Sequence, residues 1–281
     1  MRFHKMHGCG NDYVVIATFD QSGPREPDRL ARQICDRHRG VGADGVILLG
    51  SAENASAVAC MRVFNPDGSE AEMCGNGIRC AAKWLHDRGQ IDSDHFLIQT
   101  ARRVVSVRVS REPGEETQVC VDMGPPVFEP ERIPTQLTGT PPTNVTVSVA
   151  GTDIEVTCLS MGNPHCVVFV DSLDDERVRQ LGPALENHSA FPNRTNVEFV
   201  QLLTPSELAV RVWERGVGET LACGTGACAA AIASILAKEI CEPVRIRMRG
   251  GTLHVQWPER KSVLLTGPAV EVFEGHWLGP T

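Results

Sequence analysis

The sequence predicts an α+β protein of two similar domains, and three observations carry the prediction. Its 281 residues exceed the roughly 100–200 of one ordinary domain. Short β-branched runs recur along the whole chain, several of them separated by only a few turn residues, which suits antiparallel hairpins. Two helical segments share a matching lead-in, repeated at a constant offset of 149 residues.

The strand expectations, in order, are 13–18, 46–49, 59–64, 104–109, 145–149, 166–170, 197–202, 207–213, 244–248 and 262–266. Turn-rich breaks fall at 21–24, 112–116 and 129–142. Four helices are expected. One follows Pro27, with Asp28 as N-cap and Leu30, Ala31, Ile34 and Cys35 on one face; another runs from Asp174 to about Asn187. A third, 75–88, ends at Gly89, a natural residue just past a helix C-terminus. The fourth, 224–238, is apolar nearly all round, so it is expected to be buried and central.

Composition bounds the function. Lys+Arg 27 against Asp+Glu 35 leaves a formal charge of −8, which argues against a nucleic-acid or anionic-membrane partner. No apolar run is long enough to span a bilayer, and Met1-Arg2-Phe3-His4-Lys5 leads straight into patterned sequence, so no signal peptide is expected. The eleven cysteines include no Cys-x-x-Cys spacing, which places the chain in a reducing cytoplasm with free thiols, most of them expected in the core.

The repeat singles out two of them. Arg62-Val63-Phe64, Glu70 and Cys74-Gly75-Asn76-Gly77 recur as Arg211-Val212-Trp213, Glu219 and Cys223-Gly224-Thr225-Gly226. A weaker echo links Gly10-Asn11 to Gly162-Asn163. Each copy thus puts a cysteine at the mouth of a helix, where free N–H groups favour negative charge, lower a thiol pKa and can hold a carboxylate. Two such cysteines on opposite sides of one bound molecule suit inversion of a carbon stereocentre, one thiolate removing a proton and the other thiol delivering one. No cofactor enters that scheme. A non-enzymatic thiol sensor or metal-binding protein is the rival from a different class, and the absence of metal-ligand spacing counts against it.

The segments 5–13, 40–45, 64–80, 162–165, 194–199, 213–216 and 222–226 resemble diaminopimelate epimerases, cofactor-independent enzymes of lysine and peptidoglycan-precursor biosynthesis. The resemblance runs essentially end to end. It implies two pseudo-symmetric domains, 1–117 completed by 268–281 and 118–267, each a mostly antiparallel sheet around a central helix, with the active site in the cleft between them. A strand near 270–273 would return to the first domain. The resemblance implies Cys74 and Cys223 as catalytic residues, and Gly75, Asn76, Gly224 and Thr225 as holders of the reacting carboxylate. Asn11, Asn65, Asn163, Asn196, Glu214 and Arg215 match the substrate-binding set for a diamino diacid. His165 either supports the thiol pair or is structural, and Asp44 either supports the site or shapes a turn. Singly, each asparagine also fits a turn or cap, and Glu214-Arg215 also fits a surface pair. No metal is implied, and a homodimer is.

Departures from the family are small. Tyr13 stands where phenylalanine is common, Gly45 where some members carry glutamine, and Cys9 at a variable position. Proline-type racemases of the same superfamily usually carry histidine where Asn76 stands; a histidine racemase is the harder alternative to separate. Two facing thiols of low pKa would also be able to join as a disulfide when no ligand lies between them.

Overall fold

A computed structural model describes residues 1–71, 74–112, 114–149, 151–238 and 240–279. Glu72 and Met73 of the first cysteine segment, and Pro113 of the expected break at 112–116, lie outside the described residues. The chain divides into two compact units, 1–122 with 266–281, and 123–265. Among the described residues, no helix is long and apolar enough to cross a membrane.

The first unit runs β1 (Arg2–Gly8), β2 (Asn11–Ala17), α1 (Pro27–Ile34), β3 (Gly45–Gly50), β4 (Ala59–Phe64), β5 (Glu70–Ala71), α2 (Gly75–Asp87), β6 (His95–Gln99), β7 (Val104–Ser110) and β8 (Gln118–Gly124). The second runs β9 (Val145–Val149), β10 (Thr152–Ser160), β11 (Pro164–Phe169), α3 (Asp175–Glu186), β12 (Asn196–Thr204), β13 (Glu207–Glu214), β14 (Gly218–Thr220), α4 (Gly224–Lys238), β15 (Val244–Met248) and β16 (Gly251–Gln256). The chain then continues through β17 (Val263–Pro268) to β18 (Val270–His276), which pairs antiparallel with β1.

Strand order in the first unit is β18-β1-β2-β3-β4-β6-β7-β8, and in the second β9-β10-β11-β12-β13-β15-β16. Most pairs are antiparallel. Short spacings hid the exceptions: β2–β3, β4–β6, β11–β12 and β13–β15 are parallel, each joined by a crossover that contains a helix. The two units share one element sequence, with β1 to β7 matched by β10 to β16, α1 by α3 and α2 by α4. The sixteen-residue repeat is the visible tip of this longer one.

Helices line both faces of each sheet, so strand alternation decides what reaches the central helix. In β2, Val14 and Ile16 join Leu30, Ala31 and Ile34 of α1 in one core cluster. Tyr13, on the opposite face, reaches α2, which packs against β1, β2, β3, β4, β7 and β18. In β12, Val197 and Phe199 pack with Val178 and Leu185 of α3. Glu198 and Asn196 therefore face the other way, toward α4. Each fully buried Ile, Leu or Phe in these clusters contributes about 1.5–3 kcal/mol.

Helix α4 is as buried as its sequence predicts: residues 227–234 are all fully inaccessible. Its alanines let strands approach closely on several sides, and the buried hydroxyl in its middle, Ser234, donates back to Ala230 O at 2.8 Å. Helix α3 is capped by the Asp174 carboxylate, which accepts from Arg177 N at 2.7 Å. Helix α1 starts differently from expectation. Pro27 is its first residue, Glu26 takes the N-cap position without a side-chain bond, and Asp28 sits in the first turn beside Arg32.

Thiol burial is less uniform than composition suggests. Cys9, Cys35, Cys80, Cys158, Cys166, Cys223 and Cys228 are buried, whereas Cys60, Cys74 and Cys120 are half-buried and Cys241 is exposed. None of the eleven forms a disulfide.

Candidate active site

The Cys74 site is built where β1, β2 and α2 meet. Residues Cys9 and Gly10 both have positive φ, +54° and +80°, and close a tight two-residue hairpin between β1 and β2. That turn delivers Asn11 at the first position of β2. Cys74 is the N-cap of α2, with extended backbone, and its Sγ accepts from Gly77 N at 3.4 Å. A Cβ on Gly77 would meet the Cys74 side chain at about the same distance, 3.4–3.5 Å, and Ile47 at 3.2 Å, so glycine leaves the cap its room.

Asn11 is the hub of this site. Its Nδ2 donates to Asp44 Oδ2 at 2.7 Å, and because a carboxylate only accepts, this contact fixes which way the amide faces. Its Oδ1 then receives Asn76 Nδ2 at 2.9 Å and the Tyr13 hydroxyl. Asp44 thus does more than shape a turn: it orients a predicted substrate-binding side chain. Behind it lies an ion cluster that sequence reasoning missed. Asp12 pairs with Lys5 at 2.6 Å and with Arg37 at 2.7 Å, and Arg37 also reaches Asp44 at 2.7 Å. Burial opposes charge on Asp12, but Arg37, Lys5 and Asp44 outweigh it and hold the carboxyl well below its usual range.

Asn65 is placed differently from the other asparagines. Its side chain donates to Ser69 Oγ at 2.9 Å and its backbone closes the turn at 65–69, so within this unit its bonds are those of a turn residue.

The Cys223 site repeats the cysteine geometry. Cys223 Sγ accepts from Gly226 N at 3.4 Å, at the start of α4. A Cβ on Gly226 would come within 2.9 Å of Glu198 Oε1, so a side chain there would displace the buried carboxylate. A continuous chain of polar contacts leads away from the thiol. Thr225 Oγ1 lies 3.4 Å from Cys223 Sγ and receives Asn163 Nδ2 at 3.3 Å. Asn163 Oδ1 lies 3.0 Å from His165 Nε2, and His165 Nδ1 lies 2.7 Å from Glu198 Oε1.

Asn163 thus bridges Thr225 and His165, and a further hydrogen bond joins His165 to Glu198. Both side chains are fully buried, and the register β11–β12 brings them together on the α4 face. Among the described residues, Glu198 Oε2 is buried without a hydrogen-bond partner. Burial accordingly raises the Glu198 pKa, against the opposing pull of His165.

Cys223 departs from the expectation of a lowered thiol pKa. Burial pushes it well above the usual value, and the Glu214 and Glu198 carboxylates add to that, while the Thr225 and Gly226 hydrogen bonds pull only partly back. The helix N-terminus is present but outweighed.

Asn196 Nδ2 donates to Pro164 O at 2.9 Å, and its Oδ1 accepts from Arg215 N at 2.9 Å. The buried Glu186 holds the same loop through Gly216 N at 2.8 Å and Trp213 Nε1 at 2.8 Å. Glu214 accepts from Thr220 Oγ1 at 2.6 Å. Arg215 itself is exposed, with one bond to Asn193 O at 3.2 Å. In this loop it is the backbone that is fixed. Gly75, Asn76, Gly224 and Thr225 occupy the first turns of α2 and α4, beside the two thiols.

Glu198 and Tyr13 were missed as neighbours of the predicted site residues. A charged residue inside the apolar run Val197-Glu198-Phe199-Val200 was the available signal for the first, and the single tyrosine of the chain, two residues after Asn11, for the second. Among the described residues one cluster has metal-ligand spacing: His4, Glu271 and Glu274. Arg88 already sits there, 2.8 Å from Glu271 and 3.2 Å from His4 Nδ1.

Comparison with known proteins adds three findings. The sequence model of the family described as diaminopimelate epimerase matches residues 3–129 and 157–272. The chain is 49% identical over 279 residues to the diaminopimelate epimerase of Desulforudis audaxviator and 47% identical over 281 residues to that of Pelotomaculum thermopropionicum, covering 99% of each chain in both cases. Among solved structures, it is similar to a Bacillus anthracis protein of the PhzF family (TM-score 0.74, 17% identity, 99% of both chains). It is also similar to a hydroxyproline epimerase from Agrobacterium vitis (TM-score 0.69, 18% identity, 98% of this chain and 90% of the other). These last two likenesses establish the fold alone. With profile and relatives spanning nearly the whole chain, this protein belongs to the diaminopimelate epimerase family.

Proposed function

We propose that this protein interconverts LL- and meso-diaminopimelate without a cofactor, by two-base proton transfer between Cys74 and Cys223. The observation that carries the reading is the duplicated cap: in each unit a cysteine Sγ accepts from the third N–H of a helix, 3.4 Å away. Proton transfer from an amino-acid α-carbon builds charge on the adjacent carboxylate. Helix N-termini flanked by glycine supply N–H donors to that carboxylate at no reorganisation cost, a contribution of about 2.7–4 kcal/mol per donor by analogy with oxyanion holes.

The roles then divide between the thiols. Cys223, whose pKa is raised by burial and its carboxylate neighbours, serves as the acid in one direction, and removal of the α-proton then falls to Cys74. In the reverse direction the two exchange roles. Arg215 grips the distal carboxylate, Glu214 accepts from the distal ammonium, and Asn11, Asn65, Asn76, Asn163 and Asn196 serve either group. The reading places the protein in the cytoplasm, in lysine and peptidoglycan-precursor synthesis, as a homodimer without nucleic-acid or membrane partners.

The test is direct. Reduced protein incubated with LL-diaminopimelate, without pyridoxal phosphate, is expected to yield the meso isomer on chiral chromatography. Absence of meso product, with the protein reduced and folded, contradicts the function.

A further inference from the structure

The Tyr13 hydroxyl lies 2.8 Å from Cys74 Sγ and also contacts Asn11 Oδ1. It has one proton and two acceptors. We propose that Tyr13 is a catalytic residue of the Cys74 site, a hydroxyl rotor that donates to Asn11 when Cys74 is a thiol and swings to donate to sulfur when Cys74 is a thiolate. This deepens the two-base reading and rests on it.

Each proton can be followed. In the thiol state Cys74 S–H donates to Tyr13 Oη, and Tyr13 O–H donates to Asn11 Oδ1. When the thiol gives its proton to the substrate carbanion, the sulfur is left anionic and the Tyr13 O–H turns to it. Asn11 Oδ1 is not stranded, because Asn76 Nδ2 still donates to it at 2.9 Å. Asn11 cannot turn away, because its Nδ2 is held by Asp44 at 2.7 Å. When the thiolate takes a proton from substrate, the steps reverse. Tyr13 keeps its own proton throughout, and no bond to carbon involves it.

Four further observations support the role. Tyr13 is 4% exposed, so water does not compete for its hydroxyl. Burial first, then Cys74, Cys80 of α2 and Asp44 ahead of β3, all raise its pKa, so it stays a donor at any working pH. The nearby Asp12 is engaged by Lys5 and Arg37. Gly45, the register partner of Tyr13 on β3, leaves space for the ring: a Cβ there would lie 3.3 Å from Tyr13 Cε1 and 2.9 Å from Phe64 O.

The test reads the thiol without turnover. In a Cys223→Ala background, the pH dependence of Cys74 alkylation by iodoacetamide is followed by peptide mass spectrometry, with Tyr13 and with Tyr13→Phe. Loss of the donor is expected to raise the Cys74 midpoint by about one pH unit, a tenfold fall in thiolate fraction below it. A purely structural ring, which phenylalanine preserves, leaves the midpoint in place, and that result overturns the proposal. A second readout leaves Tyr13 intact. As the only tyrosine of the chain, labelled with ¹³C at Cζ, it gives a single resonance. That resonance is expected to shift with the Cys74 midpoint; one that stays still through the titration overturns the rotor. Neither readout depends on diaminopimelate, so failure of the epimerase reading shows separately, in the conversion assay.

Discussion

Cys74→Ala and Cys223→Ala are each expected to lower epimerisation by roughly two to four orders of magnitude, the range of a lost general acid or base. The reason is geometric. Inversion needs a proton removed from one face and another delivered to the opposite face, so a single surviving thiol performs half of the reaction. Stability is expected to change little. Cys74 is only half-buried, and its cap is one 3.4 Å contact from Gly77 N; losing a cap costs at most about 2 kcal/mol. Serine at either position provides the control, since its hydroxyl restores the cap acceptor but is far too weak an acid to serve as the thiolate. Chiral chromatography and thermal unfolding of all four variants check both halves of the expectation. A serine variant with near-native turnover would remove that position from the mechanism.

Glu198→Ala is the second large effect. The carboxylate is fully buried, and its Oε1 is the partner of His165 Nδ1. Removing it strands an inaccessible imidazole group, at a cost of about 1–3 kcal/mol. The damage is expected to travel along the contacts His165–Asn163–Thr225–Cys223, since each side chain is oriented by the previous one. Turnover is expected to fall about 10–100-fold, the equivalent of about 1.4–2.8 kcal/mol. Glu198→Gln retains a carbonyl acceptor in the same volume and is expected to recover most of the stability. Urea unfolding separates the variants, and equal stability of Glu198→Ala and wild type contradicts the network.

Why Glu198 escaped sequence reasoning, while the cysteines did not, is a matter of range. Cys74 and Cys223 declare themselves locally, because the residues that make the cap follow immediately as Gly75-Asn76-Gly77 and Gly224-Thr225-Gly226. The pairing of Glu198 with His165 depends on the parallel register of β11 and β12, which no local pattern encodes. The same limit explains the strands. Short β-branched runs such as Tyr13–Thr18 were legible, but β1, reading Arg2-Phe3-His4-Lys5-Met6-His7, carries polar residues that are buried only because β18 and β2 flank it. Helix ends were legible at Asp174 and Gly89 and misread at Asp28, where Pro27 took the first helical position instead.

Electrostatics was the least legible layer. The helix N-terminus at Cys223 predicted an acidic thiol, yet burial and the Glu214 and Glu198 carboxylates reverse the sign. Those carboxylates come from β13 and β12, and only the fold brings them to Cys223. The asparagines show a similar division: Asn11, Asn76, Asn163 and Asn196 sit in bonded networks beside the thiols or their loops, whereas Asn65 makes the bonds of a turn.

Isotope incorporation tests the two-base claim most directly. LL-diaminopimelate is incubated with reduced protein in D2O, and both substrate and product are analysed during the first few per cent of conversion. If the two-base scheme holds, a monoprotic thiolate returns the substrate's own hydrogen, while the other thiol delivers one from solvent. The meso product is therefore expected to carry deuterium at the inverted α-carbon while recovered substrate remains unlabelled. Equal labelling of substrate and product at that stage, or product without deuterium, would contradict proton transfer between two cysteines.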